Sequence, residues 1–122
     1  MKHATRLLAP LALGVALAGC AAMKPQIFHS QLVQLDKGLP ASDVPRRLGQ
    51  PPVLEHHAQA DGREFLFQQY RLNNGLQLDR YLVASENGRV VYWGYVSEFR
   101  RHPDASLGKA LNTVLPAVMA QD

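Results

Sequence analysis

Three turn signals, Asp61-Gly62, Asn73-Asn74-Gly75 and Asn87-Gly88, divide the second half of this chain into short apolar segments of nearly equal length. A two-residue hairpin loop of type I′ needs positive φ at both central residues, which Asp-Gly and Asn-Gly tolerate best. The intervening segments, Val53 to Ala58, Glu64 to Leu72, Leu76 to Ser85 and Arg89 to Ser97, therefore read as an antiparallel meander of three or four strands. Counting outward from Asn87-Gly88, Ser85 faces Val90, Ala84 faces Val91, Val83 faces Tyr92 and Leu82 faces Trp93. A three-residue loop at Asn73 to Gly75 would place Tyr70 opposite Leu78, Phe67 opposite Tyr81 and Phe65 opposite Val83.

On that register one face carries Leu66, Tyr70, Leu78, Leu82, Ala84, Val91 and Trp93. The other carries Phe65, Phe67, Tyr81, Val83, Val90 and Tyr92. Both are apolar, whereas a sheet with one wet side alternates between apolar and polar, so each side requires a cover. One cover is available before the strands. Phe28, Leu32, Leu35 and Leu39 recur at helical spacing, which predicts a short helix from Ile27 to Asp36 that stops at Gly38. A second short helix is expected between Ser42 and Leu48, with Ser42 as N-cap, Pro45 in the first turn and Gly49 as the left-handed stop. The other cover lies after Pro103, where Leu107, Ala110, Leu111, Val114, Leu115 and Val118 share a helical face behind Asp104 as N-cap, and Pro116 is expected to kink or end the helix. The fold class is thus α+β: two short N-terminal helices on an antiparallel meander sheet, plus a C-terminal helix.

The first residues follow a different logic. Lys2, His3 and Arg6 precede an apolar run from Leu7 to Leu17, the layout of a secretory signal. The run is well short of the roughly 20 residues a helix needs to cross a bilayer. Leu17-Ala18-Gly19-Cys20 resembles the lipobox of bacterial lipoproteins, in which the cysteine sulfur is alkylated by a diacylglyceryl group after small residues have admitted the peptidase. The implied organisation is a signal peptide at 1–19, a lipidated tether at 20–26, an α+β domain at 27–99, and an amphipathic helix and tail at 100–122. Cys20 is the one cysteine, so no disulfide forms within one chain.

Cleavage of residues 1–19 from the 122 leaves 103, enough for one small domain. Lys2 and Arg6 depart with the signal, so 11 of the 13 basic side chains remain against 10 acidic ones. A net charge near +1 argues against a nucleic-acid partner, which demands a clustered basic field.

Several residues at the joints between elements carry a family resemblance: Gly38-Leu39, Asp43-Val44, Leu48-Gly49-Gln50-Pro51, Tyr70, and Asn87-Gly88-Arg89-Val90. Together with the lipobox they make the chain similar to the SmpA/OmlA (BamE-like) outer-membrane lipoprotein family, over roughly the middle half of the mature chain. Pro40 departs from the threonine usual there, and Phe65 and Phe67 stand where tryptophan is common. The resemblance implies a non-catalytic scaffold or accessory subunit of a cell-envelope assembly, with outer-membrane protein assembly as one such role, held at the outer membrane by lipid on Cys20 and facing the periplasm. Ala21 in place of an aspartate favours the outer membrane in bacteria that use that sorting rule. Its partner would be an envelope protein. The alternative is a periplasmic binding or inhibitor module, since the β-lactamase inhibitor fold is similar to this helix-helix-sheet order; an open concave sheet face would favour that reading, and covered faces with an exposed strand edge the scaffold.

No nucleophile elbow, phosphate-binding glycine loop or metal-ligand spacing is present, so neither an enzyme, a cofactor, a metal nor a small-molecule substrate is expected. His56 and His57 point to opposite sides of a strand and cannot share one ion. All the histidines of the mature chain are expected at surfaces or edges. Glu55 and Glu64 could approach across the first hairpin as solvated edge charge. The candidate interface residues are Tyr95, near the sheet end, and the arginine pairs Arg46-Arg47 and Arg100-Arg101, which could meet anionic headgroups or a partner.

Overall fold

The computed structural model describes residues 24–121. The expected signal peptide, the lipobox and Cys20 lie outside the described residues. The architecture is α+β: a four-stranded antiparallel sheet in the order β1-β2-β3-β4 and a C-terminal helix. The strands are β1 (Leu54–Ala60), β2 (Arg63–Asn73), β3 (Leu78–Glu86) and β4 (Arg89–Tyr95). Before them come α1 (His29–Leu32), a 3₁₀ turn at Ala41–Asp43 and α2 (Val44–Leu48); after them come α3 (Val96–Arg100) and α4 (Ala105–Met119).

The tight turns behave as their residues dictate. Asp61 and Gly62 have φ of 52° and 76°, and Asn87 and Gly88 have 50° and 80°. Ser85 pairs with Val90 as expected. The middle loop does not follow the expectation: it runs from Asn74 to Gln77, with Asn73 closing on Leu78, so β2 and β3 are displaced by three residues. Tyr70 therefore faces Tyr81, Phe67 faces Ala84 and Phe65 faces Glu86. An odd displacement exchanges the faces of one strand relative to the next. A β-bulge after the Ser85–Val90 pair adds a residue to β4, so Ala84 faces Tyr92, Val83 faces Trp93, and Leu82 faces Gly94. Val91 and Tyr92 both lean on the second side as a result.

The true faces are thus two separate cores. On the first, Tyr70, Leu72, Tyr81, Val83 and Val90 pack against Ile27, Leu35, Leu39, Val44 and Leu48. On the second, Ala58, Phe65, Phe67, Leu82 and Ala84 pack against Phe99, Leu107, Ala110, Leu111 and Val118. The expected need for two covers is met by segments from opposite ends of the chain.

Several element boundaries differ from expectation. The first helix is one turn instead of Ile27 to Asp36, because Ile27 joins the sheet as an isolated parallel bridge to Leu72, donating to Arg71 at 2.8 Å and accepting from Asn73 at 2.9 Å. Ser42 is no N-cap: it lies inside the 3₁₀ turn, and Asp43 precedes α2. Pro45 does occupy the first turn, and Gly49 ends α2 at φ 72°. The last strand stops at Tyr95, since Val96–Arg100 forms a helix whose Glu98 carboxylate accepts from the Tyr95 N–H at 2.9 Å. Asp104 caps α4, accepting from the N–H groups of Ser106 and Leu107. Pro116 does not end it; α4 continues to Met119. Pro116 has no N–H to donate to the Asn112 carbonyl, and Asn112 lies at an exposed position where solvent can serve that acceptor.

Candidate interaction surfaces

Antiparallel pairing closes the centre of the sheet and leaves its two outer strands to be protected. The β4 edge is taken up at its start: Gly38 donates to Val90 at 2.7 Å, Val90 to Leu39 at 2.8 Å, and Ala41 to Gly88 at 2.8 Å. The lower part of β2, beyond the reach of β1, is covered by Ile27. β1 differs. In a two-residue hairpin the closing pair, here Ala60 and Arg63, exchanges both bonds and the pairs alternate from there. Glu55, His57 and Gln59 therefore turn their main-chain groups outward. The Asn87 N–H bonded to the Glu64 carbonyl at 3.3 Å agrees with that alternation, since Glu64 is paired with Gln59 yet bonds on its other side. Among the described residues, no backbone group bonds this outer edge.

Tyr95 is half-buried, its ring edge-on to Tyr81 at 5.2 Å and its hydroxyl accepting from Asn74 Nδ2 at 3.1 Å. It borders a shallow groove of about 350 Å³ lined by Asp79, Arg80, Tyr95, Val96, Ser97, Arg100 and Met119. The structure therefore brings Tyr95 and Arg100 together. Arg101, also exposed, follows at the C-cap of α3. Arg46 and Arg47 belong elsewhere, on the helix whose Val44 and Leu48 enter the first core, whereas Phe99 beside Arg100 enters the second. Arg46 lies 3.2 Å from Asp43, and Arg47 donates to the Gln34 carbonyl at 3.1 Å. The two arginine pairs do not form one patch.

The histidines are more integrated than expected. His56 is buried, its Nε2 2.7 Å from Gln69 Oε1, and Gln69 in turn donates to the Val118 carbonyl at 3.1 Å. That polar relay links β1, β2 and α4 inside the second core, so His56, although on the edge strand, is buried and not at the surface. His57 is exposed on the opposite side. His102 Nδ1 accepts from the Asp104 N–H at 3.0 Å, and its ring lies 4.4 Å from Tyr92. Glu55 and Glu64 do not meet: Glu55 stands opposite Gln68, and Glu64 opposite Gln59. Among the described residues no group of three or more His, Cys, Asp or Glu could hold a metal ion.

Sequence reasoning missed two constellations. Arg63 donates to both Glu86 oxygens, at 2.9 and 2.7 Å, and to both Asp104 oxygens, at 2.9 and 2.8 Å. Hydrogen bonds to Glu86 and then Asp104 raise its pKa further, while its guanidinium holds both carboxyls below their ordinary range. The clamp ties the first hairpin to the start of α4. The second is Asn74, which contacts His29, Asp79 and Tyr95 at the other end of the sheet. An Asn-Asn-Gly run signals a turn, but nothing local reveals that its side chain joins three segments.

Compared with models of known families, with curated proteins and with solved structures, the chain matches none.

Proposed function

We propose that this chain is an outer-membrane lipoprotein of the SmpA/OmlA type, anchored through Cys20, whose domain is a non-catalytic scaffold for an envelope protein assembly. In this reading the two short N-terminal helices laid on a meander sheet are the family's own layout. The observation that carries the proposal is the contrast between covered faces and an uncovered edge. Among the described residues both sides of the sheet are filled by segments of the same chain, which favours the scaffold over an inhibitor-like mode that uses an open concave face. Along β1, Glu55, His57 and Gln59 keep outward main-chain groups that can accept a strand from a partner.

The test substitutes His57→Pro in the full chain. An edge position whose N–H faces solvent tolerates proline, so the denaturation midpoint should stay close to that of the parent. Recovery of crosslinked partners from envelopes should fall sharply. Co-purification of outer-membrane assembly subunits with the parent, lost in the variant, supports the scaffold. Recovery of a soluble enzyme instead would establish the inhibitor mode, and undiminished recovery with the variant would remove β1 from the interface.

A further inference from the structure

Four of the large exposed apolar side chains surround one end of the sheet. Leu76, at the tip of the loop between β2 and β3, is fully exposed, and Leu78, Phe28 and Met119 are 38%, 49% and 49% exposed. Their placement follows from the pairing. Leu78 closes the loop opposite Asn73. Phe28 precedes His29, whose Nε2 is 2.6 Å from Asn74 Oδ1. The Met119 carbonyl accepts from Arg80, two residues beyond Leu78, at 2.9 Å. The opposite end, with the turns Asp61-Gly62 and Asn87-Gly88, presents Arg63, Glu64, Glu86, Asp104 and Lys109, and no large exposed apolar side chain among the described residues. Isolated exposed apolar residues, such as Val33 and Leu54, are ordinary; four gathered at one pole are not.

The tip is fastened. Asn74 N–H donates to the Gln77 carbonyl at 2.9 Å, Gly75 N–H to Asn73 Oδ1 at 3.0 Å, and the Asn74 side chain holds Asp79 and Tyr95. Leu76 is therefore displayed in a preset position, which lowers the ordering cost of inserting it. Basic groups flank the cluster: Lys24 beside Phe28, and Arg80 and Arg100 in the groove with Met119. Asp79, the acid among them, already accepts from Asn74 and Gln77.

We infer that this end rests on a lipid bilayer, with Leu76, Leu78, Phe28 and Met119 entering the boundary between headgroups and acyl chains while Lys24 and Arg100 meet lipid phosphates. The orientation rests on lipidation of Cys20 as proposed above. Cys20 precedes Lys24 by four residues, a span of at most about 14 Å at 3.3–3.6 Å per residue. Lys24 lines the same hollow as Phe28, so acyl chains on Cys20 would hold this pole, and no other, within reach of the surface. Basic side chains beside a modest apolar patch match an interfacial anchor, which gains from buried apolar area and from anionic lipid together.

The experiment reads depth directly. Leu76→Trp and Gln59→Trp versions of the full chain, produced in a bacterium that processes lipoproteins, are reconstituted into vesicles of zwitterionic and anionic phospholipid with brominated acyl chains. The parent, with Trp93 alone, supplies the baseline, and intact mass reports acylation of Cys20 separately. Both sites are exposed, so denaturation midpoints should match the parent. We expect the tryptophan at 76 to be quenched several-fold more than the one at 59, with a blue-shifted emission. Such quenching in a chain that proves not to be acylated would uphold the contact and overturn only the anchor. Acylation without excess quenching at 76 overturns the contact and leaves the anchor standing. Failure of both, or capture of a protein by a photocrosslinker at 76 without quenching, overturns it as well.

Discussion

At Gly88 an added Cβ would meet open space, so the cost of replacing this residue lies in its backbone, at φ +80°. Gly88→Val forces a β-branched side chain into the left-handed region and should lower stability by more than about 1 kcal/mol, read from the denaturation midpoint. The Arg63 clamp has a different signature. Glu86 and Asp104 titrate below their ordinary values of 4.5 and 3.8 in the folded chain. Their contribution is therefore complete above those values and is lost as pH falls through the lowered ones. Arg63→Gln removes the largest cause of both shifts, leaving Asp104 only its cap hydrogen bonds to Ser106 and Leu107, so its denaturation midpoint should fall less steeply over that acid window than the parent's. Equal slopes would show that the clamp contributes nothing to folding. At this scale the sequence was legible where a residue's own chemistry decides, as at Asn87-Gly88, Gly49 and the Asp104 cap. It was illegible where a side chain's role depends on a distant segment. His56 stands in an alternating strand like any edge histidine, and its burial follows from Gln69 and Val118, which reach it across 13 residues and from α4.

Elements were legible to the extent that periodicity and punctuation fixed them. The four strands, the C-terminal helix and the apolar alternation within each strand follow from local pattern. The alignment between strands does not, because it depends on loop length. Leu76, Gln77 and Leu78 continue the strand's composition, and only hydrogen bonding across the loop shows that β3 begins at Leu78. The longer loop places Phe67 opposite Ala84 instead of Tyr81 and exchanges the faces, yet both sides are apolar in either register, so the inference that each needs a cover does not depend on loop length. The same inference gives a test. Deleting residues 104–122 removes Leu107, Ala110, Leu111 and Val118 from the second core. The patch laid bare around Phe65, Phe67, Leu82 and Ala84 should exceed the few hundred Å² that monomeric domains tolerate. Hydrophobic-dye fluorescence and sedimentation should both rise relative to the full chain; if the two chains behave alike, α4 is not what keeps this face dry.

On the scale of the whole molecule, one sheet separates two cores, and each core is completed by a different end of the chain. The candidate interaction surfaces follow that plan. With both faces of the sheet covered, the sheet itself meets solvent at its edges and poles, among them the outward groups of β1 and the apolar pole around Leu76. Neither was legible from residue type: Glu55, His57 and Gln59 read as ordinary edge residues, and the pole gathers residues as far apart in sequence as Phe28 and Met119. Tyr95 and Arg100, chosen from the sequence, do flank that pole, whereas Arg46 and Arg47 lie away from it. The plan also has a history in time. Ile27 to Leu48 and all four strands precede α4 in the chain, so any vectorial delivery, from ribosome or translocon, supplies the parts of the first core early, whereas Phe65, Phe67, Leu82 and Ala84 wait for α4. Before α4 docks, the sheet carries one greasy side, a surface for chaperones to hold, and a chain interrupted ahead of α4 would be sticky instead of merely shorter.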